Sequence, residues 1–137
     1  MAAEKTFVML KPDCIYRGLV GEAIARIEKK GYCIVDIKMK TLEPKFLYEF
    51  YAHIVDKPFF LNIVDYMLSG SVIGIIVEGE GSVAGMRRVI GATRIEDARP
   101  GTIRGDFAES SVKNIIHASD SVEGAEKECA TFFKKEF

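Results

Sequence analysis

The sequence has no strong excess of charge of either sign. Its 137 residues include 19 lysines and arginines against 20 aspartates and glutamates, which gives a formal net charge of −1. Proteins that coat nucleic acid or an anionic membrane usually carry a basic excess. We therefore predict no dedicated nucleic-acid binding and no membrane association, while a small basic pocket remains compatible with the balance.

Long apolar runs and cysteine pairs are also missing. No apolar stretch approaches the roughly 20 residues that a membrane-spanning helix needs, and charged residues interrupt the N-terminal segment where a signal peptide would be apolar. The three cysteines, Cys14, Cys33 and Cys129, are odd in number and widely spaced. Unpaired thiols without an export signal predict a cytoplasmic protein.

Nothing in the sequence divides the chain. It contains no internal repeat, no low-complexity tract and no flexible linker, so we predict one domain over residues 1–137. Hydrophobic residues make up 48% of the chain and charged residues 28%, a balance typical of a folded globular protein. A chain of this length can bury a core without disulfide or metal cross-links.

The hydrophobic pattern alternates between strands and helices. Apolar runs predict strands at residues 6–10, 32–39, 71–77 and 114–117, and helical spacing predicts helices at 19–30, 44–57, 59–68, 86–90 and 121–133. Residues 92–113 show no regular pattern, and a long irregular stretch in a compact domain is usually functional. The order predicts an α+β, ferredoxin-like split βαβ domain, with a four-stranded antiparallel sheet and helices on one face.

The two histidines have different surroundings. His53 falls within a predicted helix beside Tyr51, and the pattern places no carboxylate cluster near it. His117 lies where a predicted strand ends and a helix begins, and the N-terminus of that helix offers backbone N–H groups to an anion. A lone histidine is more often structural than catalytic, so the pattern alone leaves both interpretations open for His117.

The segment around His117 reads Asn114-x-x-His117-Ala118-Ser119-Asp120-Ser121 and resembles the active-site signature of nucleoside diphosphate kinases. That signature usually has glycine at the position of Ala118, and alanine should be tolerated there unless the position needs positive φ. Further matches follow in the family's order along the whole chain: Lys11-Pro12-Asp13, Lys57-Pro58-Phe59-Phe60, Gly91-Ala92-Thr93, residues 99–107 and residues 121–128.

The resemblance implies an enzyme that transfers the γ-phosphate of a nucleoside triphosphate, typically ATP, to a nucleoside diphosphate. The transfer would proceed by ping-pong chemistry through a phosphohistidine on His117. By the same resemblance, Glu128 would hold the proton of the other ring nitrogen, Ser119 would join that hydrogen-bond network, and Tyr51 would lie near the reactive histidine. A neutral imidazole is a competent nucleophile near neutral pH, which suits this chemistry.

The resemblance also implies a set of nucleotide-binding residues. A transferred phosphate needs positive charge and hydrogen-bond donors around it. Phe59 would stack on the base, and a stacking platform accepts any base because every base has a π-face. The full set is Lys11, Phe59, Ile63, Arg87, Thr93, Arg104, Ser111 and Asn114.

A metal ion and an assembly follow from the same resemblance. Mg²⁺ is implied as the ion that bridges the β- and γ-phosphates, and Asp120 would reach it through water. The chain would form a homo-oligomer, most often a hexamer with a tetramer as the alternative, and residues 95–107 would carry subunit contacts. The apolar strand at 71–77 must hide both faces from water, so we expect a partner subunit to supply part of its cover.

Two other functions compete with the enzyme. The first is a non-catalytic ferredoxin-like module that binds nucleotide or RNA; RNA-recognition domains expose aromatic side chains on their central strands, and residues 71–77 contain none. The second is a catalytically silent relative that serves only in assembly. The complete set of matching site residues argues against that second alternative.

Overall fold

One antiparallel sheet of four strands organises the chain, which the computed structural model describes over residues 3–135 and at residue 137. The strands are β1 Glu4–Leu10, β2 Cys33–Lys40, β3 Val72–Gly79 and β4 Ile116–Ala118, in the spatial order β2-β3-β1-β4. The helices are α1 Pro12–Tyr16, α2 Val20–Lys29, α3 Pro44–Phe50, α4 Phe60–Met67, α5 Ser82–Ile90, α6 Ile103–Phe107 and α7 Val122–Phe133.

Two strand–helix–strand units build the sheet. Helix α2 connects β1 to β2, and α5 connects β3 to β4, so that β1 and β3 pair in the centre. Both connecting helices are followed by glycine with positive φ, 103° at Gly31 and 95° at Gly91, a conformation that glycine adopts without steric cost. The α+β, ferredoxin-like prediction is confirmed.

Helices cover both faces of this sheet. Val8 and Leu10 of β1 pack with α2 and α5, whereas Phe7 and Met9 pack with α3, α4 and α7. Neighbouring strand residues point to opposite faces, so β1 is buried on both sides. The prediction placed all helices on one face. The structure instead places α2 and α5 on one face and α3, α4 and α7 on the other.

The position of β3 within the sheet differs from the prediction. The apolar residues of β3 are buried within the chain, at 8% exposure or less, because β3 is a central strand. The expectation that β3 needs cover from a partner is therefore wrong. Within the sheet, the exposed large apolar residues lie on the edge strand β2, where Val35 is 47% exposed, Ile37 47% and Met39 56%.

Several element boundaries also differ. The helix predicted over 44–57 ends at Phe50, because Tyr51 leaves the helical conformation with φ −106° and ψ 30°, and His53 lies in a short 3₁₀ turn. The irregular stretch at 92–113 contains α6. Within the part of the chain that the structure describes, no helix is long and apolar enough to cross a bilayer.

Gly74 allows close contact between β3 and α7. A Cβ atom at this position would overlap the buried ring of Phe132. We therefore expect Gly74→Ala to lower the free energy of unfolding by about 1–3 kcal/mol, as overpacking does. Gly21→Ala is the matched control, because a Cβ there meets no atom within 4 Å, and thermal unfolding compares the two. Equal melting temperatures for both variants would contradict this packing.

Candidate active site

A cleft of about 260 Å³ brings the sequence-predicted residues together. It contains every predicted nucleotide-binding position together with Tyr51 and His117. Two lining residues, Tyr66 and Val112, were not predicted. The lining consists of Lys11, Tyr51, Phe59, Ile63, Tyr66, Arg87, Thr93, Arg104, Ser111, Val112, Asn114 and His117.

The ends of β1 and β4 place the central residues of the cleft. Lys11 directly follows β1, and its backbone N–H donates to the carbonyl of Ile115 at 2.8 Å. Ile115 has φ 61°, a strained conformation for a β-branched residue. The hydrogen bond fixes this turn, which places Asn114 just before β4 and His117 within β4. Both residues are about a hundred positions from Lys11 in the sequence, and both lie close to Lys11 in the cleft.

The imidazole of His117 is oriented by a carboxylate. Its Nε2 lies 2.8 Å from Oε1 of Glu128, and the hydroxyl of Ser119 donates to the same oxygen at 2.5 Å. Because a carboxylate accepts hydrogen bonds, this contact assigns the ring proton to Nε2. Among the described residues Nδ1 has no hydrogen-bond partner. The lone pair on Nδ1 is therefore available to an electrophile.

Burial keeps this imidazole neutral. It lowers the pKa of His117, with Lys11 and Arg104 acting in the same direction and Glu128 acting against them. Burial alone would raise the pKa of Glu128, but the hydrogen bonds from His117 and Ser119 bring it below its ordinary value. A neutral imidazole whose N–H is held by an ionised carboxylate is the form that a nucleophilic histidine takes.

Arg104 supplies a buried positive charge. It is 3% exposed, and its guanidinium donates to the carbonyls of Ile116 at 2.6 Å and Gly91 at 3.2 Å. Its Nε has no partner among the described residues. Burial and the nearby Arg87 lower the pKa of Arg104 to about 10, which still leaves it charged. The unused donor and the uncompensated charge both favour an anionic ligand.

Lys11 and Arg87 complete the cationic side of the cleft. Nζ of Lys11 donates to Oδ1 of Asn114 at 2.7 Å, and Nη1 of Arg87 donates to the carbonyl of Ala118 at 3.1 Å. Burial and Arg104 lower the pKa of Lys11 to about 7. No carboxylate lines the cleft beside these groups, so phosphate oxygens would supply the missing negative charge.

The mouth of the cleft is apolar on one side. Phe59 precedes α4 and is 45% exposed, and Ile63 lies one turn later on the same helix. Ser111 accepts a hydrogen bond from the backbone of Ile95 at 3.0 Å, which joins the two ends of the irregular segment 92–113. An exposed aromatic ring that shares a cleft with cationic donors fits a planar base joined to phosphates.

Three predicted residues lie outside the cleft lining. Glu128 is hydrogen-bonded to His117, and Ser119 donates to the same carboxylate oxygen of Glu128. Asp120 is exposed and lines a neighbouring cavity of about 220 Å³, together with His53 and Glu128. Within the described chain, no group of three or more His, Cys, Asp or Glu side chains could hold a metal ion.

The sequence contained a signal for one of the missed residues. Tyr66 follows Phe59 and Ile63 at helical spacing, so all three share one face of α4.

Ala118 replaces the usual glycine of the signature without strain. Positive φ outside glycine occurs at Ile115 and Lys134 in the described residues, and Ala118 is an ordinary buried strand residue.

A larger cavity elsewhere has no side chain suited to nucleophilic attack on a phosphate or to stacking on a base. It measures about 460 Å³ and lies beside the C-terminal ends of α2 and α5. Its basic side chains complement the negative ends of those helices. It has neither a histidine nor an aromatic ring, and its lining is Arg26, Lys29, Lys30, Arg88, Val89 and Gly101.

The fold and the site together define a phosphotransferase that acts on nucleotides. Comparisons with known proteins agree: the nucleoside diphosphate kinase family model matches residues 4–137. The nucleoside diphosphate kinase of Moorella thermoacetica is 48% identical over 133 residues, covering 97% of this chain and 96% of that protein. Nucleoside diphosphate kinase 1 of Pisum sativum is 50% identical over 131 residues, covering 96% and 88%.

Solved structures show the same relationship. A halophilic nucleoside diphosphate kinase from Halobacterium salinarum, in complex with CDP, has a TM-score of 0.93 at 43% identity and covers 98% of this chain and 90% of its own. The chain belongs to the nucleoside diphosphate kinase family. It transfers the terminal phosphate of a nucleoside triphosphate to a nucleoside diphosphate, and the non-catalytic binding module is not favoured.

The hydrogen bond from His117 to Glu128 has a measurable effect on titration. We expect Glu128→Gln to lower the pKa of His117 further, because a neutral amide no longer favours the imidazolium ion. An NMR titration of the His117 ring measures this change. Glu126→Gln is the matched control, since Glu126 is exposed on the same helix. An unchanged or raised pKa of His117 in Glu128→Gln would contradict the assigned geometry.

Proposed function

We propose that His117 accepts the phosphate and that Nδ1 is the attacking atom. The observation that carries this proposal is the 2.8 Å contact between Nε2 and Glu128, because it reserves Nε2 for the proton. His53 lies outside the cleft and has no comparable partner among the described residues.

Neither of the two steps of the transfer requires a proton to move. In the first step the Nδ1 lone pair attacks the γ-phosphorus, and the bond from that phosphorus to the β,γ-bridging oxygen breaks, so that the diphosphate leaves. The ring gains positive charge and keeps its Nε2 proton, and Glu128 stabilises this cation. In the second step a β-phosphate oxygen of the acceptor attacks the phosphorus, the N–P bond breaks, and neutral imidazole returns.

The cleft residues bind the nucleotide in the proposed complex. Lys11, Arg87, Thr93 and Arg104 contact the phosphates, Asn114 and Lys11 contact the sugar hydroxyls, and Phe59, Ile63 and Ser111 contact the base. Burial raises the pKa of Tyr51, so its hydroxyl stays protonated and able to donate. Donors fixed before substrate arrives are the main source of stabilisation in phosphoryl transfer.

Mg²⁺ is the proposed cofactor, within a family that uses a divalent cation. The cleft lining is cationic or neutral, so it fits the phosphate oxygens of a magnesium–nucleotide complex rather than the bare ion. Asp120 is the proposed side chain that reaches the ion through water. When bound, Mg²⁺ neutralises charge on the phosphates.

The remaining proposals concern the whole protein. Residues 1–137 form one domain, its partners are nucleoside tri- and diphosphates, and its compartment is the cytoplasm. It forms a homo-oligomer, for which a hexamer is the first proposal and a tetramer is the alternative. The apolar edge of β2 supports assembly, since an exposed apolar edge strand is normally covered.

Assembly can be tested apart from chemistry. We expect light scattering at micromolar concentration to give a hexamer, and Pro100→Ser to weaken it, because Pro100 and Gly101 are exposed and fix the path of the segment 95–107. A wild-type monomer would contradict the assembly proposal, and a tetramer would replace the hexamer with the second arrangement.

Labelling tests the nucleophile. We expect His117→Ala to lose the radiolabel that γ-labelled ATP leaves on the protein, because no other imidazole lines the cleft. His53→Ala is the matched control and should keep the label. A label on His117→Ala that is stable to base and labile to acid would show that another histidine is the nucleophile.

A further inference from the structure

Residues 43–69 form one wall of the cleft. This segment contains α3, the short 3₁₀ turn and α4, and it supplies Tyr51, Phe59, Ile63 and Tyr66 to the lining. The remaining lining residues, including every residue proposed to contact the phosphates, lie outside the segment. The position of residues 43–69 against the rest of the chain therefore sets the width of the cleft.

Apolar packing holds most of this segment in place. Leu47, Phe60 and Met67 are buried in the cluster that also contains Phe7 and Met9 of β1. The hydrophobic effect has no preferred direction, whereas a hydrogen bond has a narrow range of distance and angle. Packing alone therefore fixes the position of α4 less exactly than packing together with a hydrogen bond.

One hydrogen bond joins this segment to the rest of the chain. Among the described residues, it is the bond that the hydroxyl of Tyr66, on α4, donates to Oδ1 of Asp13, in the first turn of α1. The other hydrogen bonds of residues 43–69 stay within the segment. Asp13 is 1% exposed and Tyr66 is 9% exposed, so water competes little for this bond.

The pair of Asp13 and Tyr66 is costly for a merely structural contact. Burial raises the pKa of Tyr66, and Asp13 raises it further, so the hydroxyl remains a donor. Oδ2 of Asp13 is buried and has no hydrogen-bond partner among the described residues. A buried polar pair with an unused acceptor is often less stable than well-packed apolar side chains. The bond does supply direction, because it restricts α4 to one position against α1.

This hydrogen bond connects the two sides of the nucleotide site. Lys11 is the N-cap residue of α1, and its carbonyl accepts from the backbone N–H of Cys14 at 3.0 Å. The turn that contains Asp13 is thus continuous with the phosphate side of the cleft. Phe59 is the N-cap residue of α4, and Tyr66 lies two turns later on that helix. Fixing Tyr66 to Asp13 therefore fixes the ring of Phe59 relative to the phosphate side.

We propose that Tyr66 is a positioning residue for nucleotide binding: its hydrogen bond to Asp13 holds α4 where a base can stack on Phe59 while the phosphates reach the cations. The hydroxyl acts through the position of α4 and does not contact the substrate. The inference rests on the proposed role of Phe59 in base binding.

Amide hydrogen exchange tests the attachment of the segment. Tyr66→Phe removes the hydroxyl and keeps the ring. We expect exchange in residues 43–69 to become about three- to tenfold faster, with unchanged exchange in β1 and β3, because the loss of one buried hydrogen bond favours local opening by about that factor. Unchanged exchange in residues 43–69, or an equal increase in all elements, overturns the inference.

Tyr48→Phe is the matched control for this experiment. Tyr48 is 50% exposed on α3, in the same segment, and its hydroxyl has no hydrogen-bond partner among the described residues. We expect wild-type exchange in this variant. Faster exchange in Tyr48→Phe, equal to that in Tyr66→Phe, would show that any tyrosine hydroxyl in the segment has this effect and would overturn the inference.

Nucleotide affinity tests the positioning role. Calorimetry measures the dissociation constant of ADP with Mg²⁺, which we expect to rise about three- to tenfold in Tyr66→Phe and to stay unchanged in Tyr48→Phe. Tyr66→Phe should add little to the loss already caused by Phe59→Ala, because Tyr66 acts through the position of Phe59. Wild-type affinity in Tyr66→Phe, or fully additive losses, overturns the inference.

Variants of Asp13 test the same bond from its other end. Asp13 does not line the cleft, so an effect of Asp13→Ala on ADP binding cannot come from a lost substrate contact. We expect Asp13→Ala to reproduce both effects of Tyr66→Phe, and Asp13→Asn, which keeps a carbonyl oxygen as acceptor, to weaken ADP binding less. If Tyr66→Phe does not fold, wild-type ADP affinity in Asp13→Ala overturns the inference.

Phe59→Ala alone distinguishes this inference from the proposed function. Wild-type ADP affinity in Phe59→Ala would contradict the proposed role of Phe59 in base binding. Weaker binding in Phe59→Ala, together with wild-type binding in Tyr66→Phe, would overturn only the role of Tyr66.

Discussion

The hydrogen bond between His117 and Glu128 is the interaction on which the rest of the site depends. It decides which ring nitrogen carries the proton, and the fold holds both partners firmly. The imidazole packs against the rings of Phe50 and Phe7, with centroids 5.1 and 6.2 Å away. The backbone of Ser119 donates to the carbonyl of Phe7 at 3.0 Å. Strand β1 therefore fixes the imidazole and the hydroxyl that shares its carboxylate.

A second constraint is the burial of positive charge around this imidazole. Arg104 and Lys11 are largely removed from water, and their pKa values fall because burial penalises the charged form. Such an arrangement costs stability in the empty protein and favours the phosphates of a substrate. The same charges help to keep His117 neutral. The buried cations thus attract the phosphate that is attacked and also keep the attacking imidazole neutral. Their positions need little rearrangement when substrate binds.

Sequence patterns predicted the fold more completely than the site. Strand and helix periodicity was enough for the four strands and the two connecting helices, because those signals are local. It missed the second helical layer, since periodicity does not say which sheet face a helix covers. Lys11 and Asn114 are 103 positions apart, so only the family resemblance could place them together. Neither periodicity nor the family resemblance predicted the hydrogen bond from Tyr66 to Asp13, because neither of them shows which buried groups contact one another.

The position of the phosphate on His117 tests this account most directly. The protein would be labelled with γ-labelled ATP, digested under alkaline conditions, and the phosphohistidine compared chromatographically with the two synthetic isomers. Because Glu128 reserves Nε2 for the proton, the account predicts phosphate on Nδ1. Phosphate on Nε2 would contradict it, since the contact with Glu128 would then have to break before the transfer.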